Sequence, residues 1–137
     1  MGGPYLYPNA APERIRRSPL GLPKVVVQAG QQSYVDTRPF TNFRGGFLAV
    51  AKHCARFFDI IDIRIGNMSH NPGLHGMPAE FFIIDGGLAK LKETAFHQYS
   101  RWDMLTATPA NIIRLVVLNK SDKPRLFEGS LFGVCAL

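Results

Sequence analysis

Ile112-Ile113-Arg114-Leu115-Val116-Val117-Leu118, then Asn119-Lys120-Ser121-Asp122-Lys123-Pro124, then Arg125 through Leu137: this stretch decides the reading of the fold. β-Branched and aromatic residues on either side of a Ser/Asp/Pro cluster predict two strands joined by a polar turn, a hairpin. A hairpin needs a larger sheet to be stable. The chain is therefore expected to be a compact all-β domain rather than an α/β nucleotide enzyme.

Toward the N-terminus the same signals recur. Met104–Thr108 reads as a strand broken by Pro109. Leu88, Leu91, Lys92 and Ala95 stand at helical spacing, so Leu88–Phe96 is read as a short helix, with a strand as the alternative. Ala79–Ile84 reads as a strand closed by Asp85-Gly86-Gly87, and 66–78 as a loop rich in Asn, Ser, His, Gly and Pro. From Phe57 to Ile65 the pattern alternates. Phe57, Asp59, Ile61, Ile63 and Ile65 fall on one face, and Phe58, Ile60, Asp62 and Arg64 on the other, which predicts a half-buried strand. Phe47–Phe57 fits either a helix or a buried strand. Val25–Gln28 and Ser33–Arg38, around the turn 29–32, predict another hairpin.

Residues 1–23 carry Pro4, Pro8, Pro12, Pro19 and Pro23. Proline fixes φ and removes a donor, so neither a regular helix nor a central strand is expected there. Tyr5, Leu6, Tyr7, Ile15, Leu20 and Leu22 are too apolar for a bare linker. They predict an extended arm that packs on its own domain or on a neighbouring subunit. The expected organisation is an arm over 1–23 and one domain over 24–137. The domain is expected to be an antiparallel β-sandwich or jelly roll, with a barrel as the alternative and at most one or two short helices.

With 137 residues, 46% of them hydrophobic, the chain can bury a core of its own. No apolar run approaches the ~20 residues of a membrane-spanning helix. The start lacks the charged and apolar stretches of a secretory signal, and Leu6 breaks the myristoylation pattern after Gly2. The formal charge of +6 is unevenly placed. Residues 1–56 hold eight Lys/Arg and two acids, while residues 57–137 hold eight of each. A local basic excess attracts phosphates or acidic surfaces. Arg14, Arg16, Arg17, Lys24, Arg38 and Arg44 are the candidate contacts for nucleic acid or for other subunits. In Arg38-Pro39-Phe40-Thr41-Asn42-Phe43-Arg44 the aromatics either stack on bases or enter the core, and the core reading is preferred.

The motifs do not assemble into a catalytic set. Asn119-Lys120-Ser121-Asp122 after an apolar strand looks like the guanine-specificity element of GTP-binding proteins. The chain has no GxxxxGK[ST] phosphate cradle, so the segment is read as a turn that satisfies its own backbone. His53, His70, His75 and His97 have no metal-ligand spacing, and Cys54 has no local nucleophile signature. Cys54 and Cys135 are expected to be small buried thiols, with a disulfide as the alternative. Asp59 and Asp62, three apart in a strand, are expected on opposite faces, and Asp62 beside Arg64. No catalytic residue, metal or cofactor is expected.

Val25-Val26-Val27-Gln28-Ala29-Gly30 leading into Val35-Asp36-Thr37-Arg38-Pro39-Phe40, then Ile60-Ile61-Asp62-Ile63-Arg64-Ile65-Gly66-Asn67, Met77-Pro78-Ala79-Glu80, and the closing Phe127-Glu128-Gly129-Ser130-Leu131-Phe132-Gly133 carry a resemblance in layout. The chain resembles small single-jelly-roll structural proteins of virions, used as capsid, vertex or decoration subunits. That resemblance implies a self-assembling, non-enzymatic shell protein made in the host cytoplasm. Its partners would be copies of itself and other virion proteins. A basic arm, here Arg14 to Arg17, would face the neighbours or the genome. A small nucleic-acid-binding β-barrel is the alternative.

Overall fold

The computed structural model describes residues 15–71, 73, 75–83 and 104–136. In chain order the strands are β1 (Ile15–Gly21), β2 (Val25–Val27), β3 (Gln32–Thr37), β4 (Phe43–Val50), β5 (Phe58–Ile65), β6 (Met68–Ser69), β7 (Met77–Pro78), β8 (Thr106–Ala107), β9 (Ile113–Asn119), β10 (Arg125–Phe127) and β11 (Gly129–Ala136). A one-turn helix α1 (Lys52–Ala55) and a 3-10 turn (Ala79–Phe82) complete the described elements. The fold is all-β. Every strand pairing among the described residues is antiparallel, apart from one isolated bridge between Val50 and Ile83.

One sheet runs β1-β11-β4-β8, a second β3-β9-β5-β6 with β7 also on β5, and β10-β2 form a separate ribbon. The pairings nest. β1 meets β11, β2 meets β10, β3 meets β9, β4 meets β8, and β5 meets β6 and β7. The chain thus pairs from its two ends inward. A single core takes Val35, Ile60, Ile63, Leu115 and Val117 from one sheet and Phe43, Leu48, Val50 and Leu131 from the other. Phe58 on β5 meets Phe127 on β10 edge to face, with ring centroids 5.2 Å apart, a contact worth about 1 kcal/mol beyond its burial.

The two predicted hairpins are not hairpins. The strand 113–119 forms, but the one predicted from Arg125 splits at Glu128 into β10 and β11, which lie in different sheets, and neither pairs with β9. β9 lies between β3 and β5, and β11 between β1 and β4. Leu115, Val116 and Val117 are all buried, so β9 is apolar on both faces and takes a central place that needs two neighbours. Likewise β2 pairs with β10 and β3 with β9, not with each other.

The segment after Pro78 is a 3-10 turn rather than the strand predicted over 79–84. Phe47 to Val50 extends β4, and the helical spacing beyond it yields only α1. Within the predicted arm, residues 15–21 form an edge strand in full register with β11, from Ile15 opposite Ala136 to Gly21 opposite Ser130. Pro19 is tolerated there because an edge strand has one unpaired side. Residues 1–14, and the predicted helix at 88–96, lie outside the described residues.

β5 departs from its period-two reading. The register with β9 slips between Ile60 and Asp62, which marks a bulge at Ile61. Phe58 and Ile60 point into the core before it, and Ile63 and Ile65 after it. The bulge therefore places Asp59 and Asp62 on the same, outer face, not on opposite faces.

Candidate functional site

Asp62 organises the outer face of β5. It is 5% exposed and accepts hydrogen bonds from Ser69 Oγ (2.6 Å), Asn71 N (3.0 Å), His70 N (3.1 Å) and Arg64 Nε (3.1 Å). Asn71 Nδ2 donates to the Ile61 carbonyl at 2.6 Å, so the bulge and the loop after β6 are tied together. Burial pushes the Asp62 carboxyl up, but the bonds from Ser69, Arg64, His70 and Asn71 outweigh it and hold it below the usual range. A depressed folded pKa adds stability that is fully present above the unfolded value of about 3.9 and is lost as the pH falls through the folded one. The wild-type melting temperature should therefore drop on acidification below about pH 4. Asp62→Asn should start about 1–3 kcal/mol less stable at pH 7 and show a flatter acid limb. Thermal melts from neutral to strongly acidic pH check this, and equal acid slopes would contradict it.

Asp59 turns instead to Lys120 Nζ at 3.1 Å. The two carboxylates thus share a face but not a partner. His53 Nε2 lies 3.1 Å from Glu128 Oε1 and does not engage Cys54. The Cys54 thiol is buried and donates weakly to the Ala51 and Glu128 carbonyls, and burial pushes its pKa up, the opposite of an activated nucleophile. Cys54 and Cys135 are not bonded to each other. His70 bridges, with Nδ1 3.0 Å from the Ile63 carbonyl and Nε2 accepting from Leu105 N at 3.1 Å. His75 is exposed. Among the described residues no three His, Cys, Asp or Glu side chains converge as metal ligands. His97 lies outside the described residues.

Asn119 in the Asn-Lys-Ser-Asp segment is fully buried. Its Nδ2 donates to the carbonyls of Val27 (2.9 Å) and Lys123 (2.8 Å), and its Oδ1 accepts from Ser121 N (2.9 Å) and Ser121 Oγ (2.7 Å). The side chain is consumed by the turn and presents no edge to a base.

The candidate contact residues separate. Arg14 lies outside the described residues. Arg16 and Arg17 sit on β1 opposite Cys135 and Val134, and Arg17 is exposed. Lys24 lies 3.6 Å from Glu128. Arg44 sits on β4 between Thr106 of β8 and Val134 of β11. Arg38 lines a cleft, of about 350 Å³, with Arg64, Asn67, Asn111 and Arg114.

In that cleft Arg64 and Arg114 stand directly opposite one another across β5 and β9. Facing like charges repel, and Asp62 and Asp36 offset this. Arg114 grips Asp36 bidentately at 2.9 and 2.8 Å and lies over the Tyr34 ring at 4.1 Å. The Asp36 hydrogen bonds raise the Arg114 pKa further, so it stays charged. Sequence reasoning missed Arg64 and Arg114 as contacts because residues 57–137 balance eight bases against eight acids overall. Only strand pairing brings them to Arg38.

The Arg38–Arg44 segment splits. Phe43 is buried in the core and Pro39 is buried, but Phe40 is 100% exposed. The preferred core reading is thus correct for Phe43 and wrong for Phe40. With Pro39 pinned inward, the next side chain is turned out to solvent. Phe40 stands on the rim of a second groove of about 350 Å³, lined also by Pro19, Leu20, Phe43, Cys135 and Ala136. Val26 and Leu126, opposite one another on β2 and β10, are exposed too. Among the described residues no helix is long and apolar enough to cross a membrane. No family model, curated protein or solved structure matches the chain.

Proposed function

We propose that the chain is a non-enzymatic structural subunit that assembles with copies of itself, as a capsid or other virion protein does, through contacts made by its body and its N-terminal arm. The nested pairing supports reading the body as a single jelly roll. An antiparallel ribbon that pairs from its ends inward and is then rolled up gives two facing sheets with first and last strands adjacent, as β1 and β11 are. A fold alone does not assign a function. The observation that carries the proposal is Phe40, a full aromatic side chain in water beside an apolar groove. A second copy is the occupant that covers both at once.

Phe40→Ser should leave stability within about 0.5 kcal/mol, because the side chain touches little in its own subunit. It should shift the chain toward smaller species in light scattering coupled to size exclusion. Assembly unchanged by Phe40→Ser would overturn the role given to this surface.

A nucleic-acid-binding module is the second reading, favoured by Arg38 in the arginine-lined cleft. Binding there should weaken with salt and with Arg38→Ala.

A further inference from the structure

The strongest unassigned arrangement lies away from that cleft, at Phe57. The Arg125 guanidinium carbon sits 3.7 Å from the Phe57 ring centroid and that of Arg56 sits 4.6 Å from it. Sharing one ring, the two guanidinium carbons are at most about 8 Å apart. Among the described residues neither arginine meets a carboxylate. Arg125 Nε reaches only Ser121 Oγ, at 3.4 Å, and Arg56 makes no further polar contact. Two cations are thus held close together, with their N–H forks still to be filled.

The surroundings favour an anion. Of the segments that supply the arginines, 52–56 holds no acid, and 120–125 holds the single acid Asp122 beside Lys123 and the Asp59-paired Lys120. Lys120 N donates to the Phe57 carbonyl at 2.9 Å, which locks the two segments together. Nearby Asp59 is engaged by Lys120, and Glu128 by Lys24 and His53.

We infer that Arg56 and Arg125, braced on Phe57, form a clamp for the phosphates of a nucleic-acid backbone. The guanidinium fork matches phosphate oxygens. The ring that a base would stack on already carries the two guanidiniums, so recognition falls on the backbone and not on the sequence. The clamp does not depend on self-assembly, and it shares no residue with the Arg38 cleft.

Fluorescence anisotropy of the full chain with a labelled oligothymidine, titrated from about 50 to 200 mM salt, tests it. Wild type should bind with a steep salt slope. Losing two single-strand phosphate contacts should reduce that slope by about 1.4 in Arg56→Ala/Arg125→Ala and weaken binding at least tenfold at low salt. Arg56→Lys/Arg125→Lys keeps both charges and should retain the slope with lower affinity, which separates lost contacts from lost folding. Arg38→Ala acts in the separate cleft and should leave intact the slope difference between Arg56→Ala/Arg125→Ala and the chain that keeps both arginines. Absence of binding by wild type, an unchanged slope in the double alanine variant, or loss confined to Arg38→Ala would overturn the inference. So would equal affinity for vesicles of anionic phospholipid. Particle formation is read separately, so failure of the clamp and failure of assembly are distinguishable.

Discussion

Asn119→Asp should lower the unfolding free energy by about 3–5 kcal/mol at neutral pH. The native amide nitrogen faces two carbonyls, of Val27 and Lys123. A carboxylate oxygen in its place turns two hydrogen bonds into two repulsions and buries an unpaired charge. The backbone of Asn119 matters as well. Its N–H donates to Gln31 and its carbonyl accepts from Gly30, so the end of β9 is tied to the turn between β2 and β3. Asn119 therefore holds the crossing between the β10-β2 ribbon and the β3-β9-β5 sheet. A loss of this size is a large part of the 5–15 kcal/mol of a typical domain and should lower the melting temperature by roughly 10 °C or more. Ser121→Ala removes one donor at a half-buried site and should cost only about 1 kcal/mol. Melting temperatures of the two variants that agree within a degree would refute this account of the turn.

Gly133→Ala should cost about 3 kcal/mol, although alanine is ordinarily the easiest replacement for glycine. Gly133 lies where the register between β11 and β4 slips, in a central strand flanked on both sides. A Cβ there would collide with the Arg44 carbonyl and stand 2.8 Å from the Gly45 Cα. These are backbone atoms of the paired strand, so relief requires β4 and β11 to part and lose hydrogen bonds at the middle of the sheet. Gly21, on the edge strand, meets nothing within 4 Å. Gly21→Ala should be neutral or stabilise by up to about 1 kcal/mol. Chemical denaturation of the two variants provides the check. Equal stabilities would mean that the close approach at the bulge is relieved without loss.

The strands themselves were legible wherever apolar residues alternate or run together. Val25–Val27, Val35 with its neighbours, Phe58–Ile65 and Ile113–Asn119 all lie where the pattern placed them. Their partners were not. Adjacent strands with a polar turn between them suggest a hairpin, but β9, buried on both faces, takes β3 and β5 as its neighbours, and β11 takes β1 and β4, all far away in sequence. The bulge at Ile61 was invisible because nothing in an isoleucine marks it, and it moved Asp62 onto the face where the 69–71 segment binds it. Charge followed the same rule. The first 56 residues looked basic and the rest neutral, yet Arg56 and Arg125 share a ring across that boundary, and Arg38 joins Arg64 and Arg114 across three strands. Counts along the chain cannot show what pairing across it assembles. Phe40 escaped because only the inward turn of Pro39 fixes its direction.

Electron microscopy of the purified full-length chain, across a range of concentrations, tests the self-assembling subunit most directly. The account predicts closed particles or regular arrays that thin out with Phe40→Ser. A uniform field of single subunits at the highest concentration, matched by a monomer mass in light scattering, would contradict it.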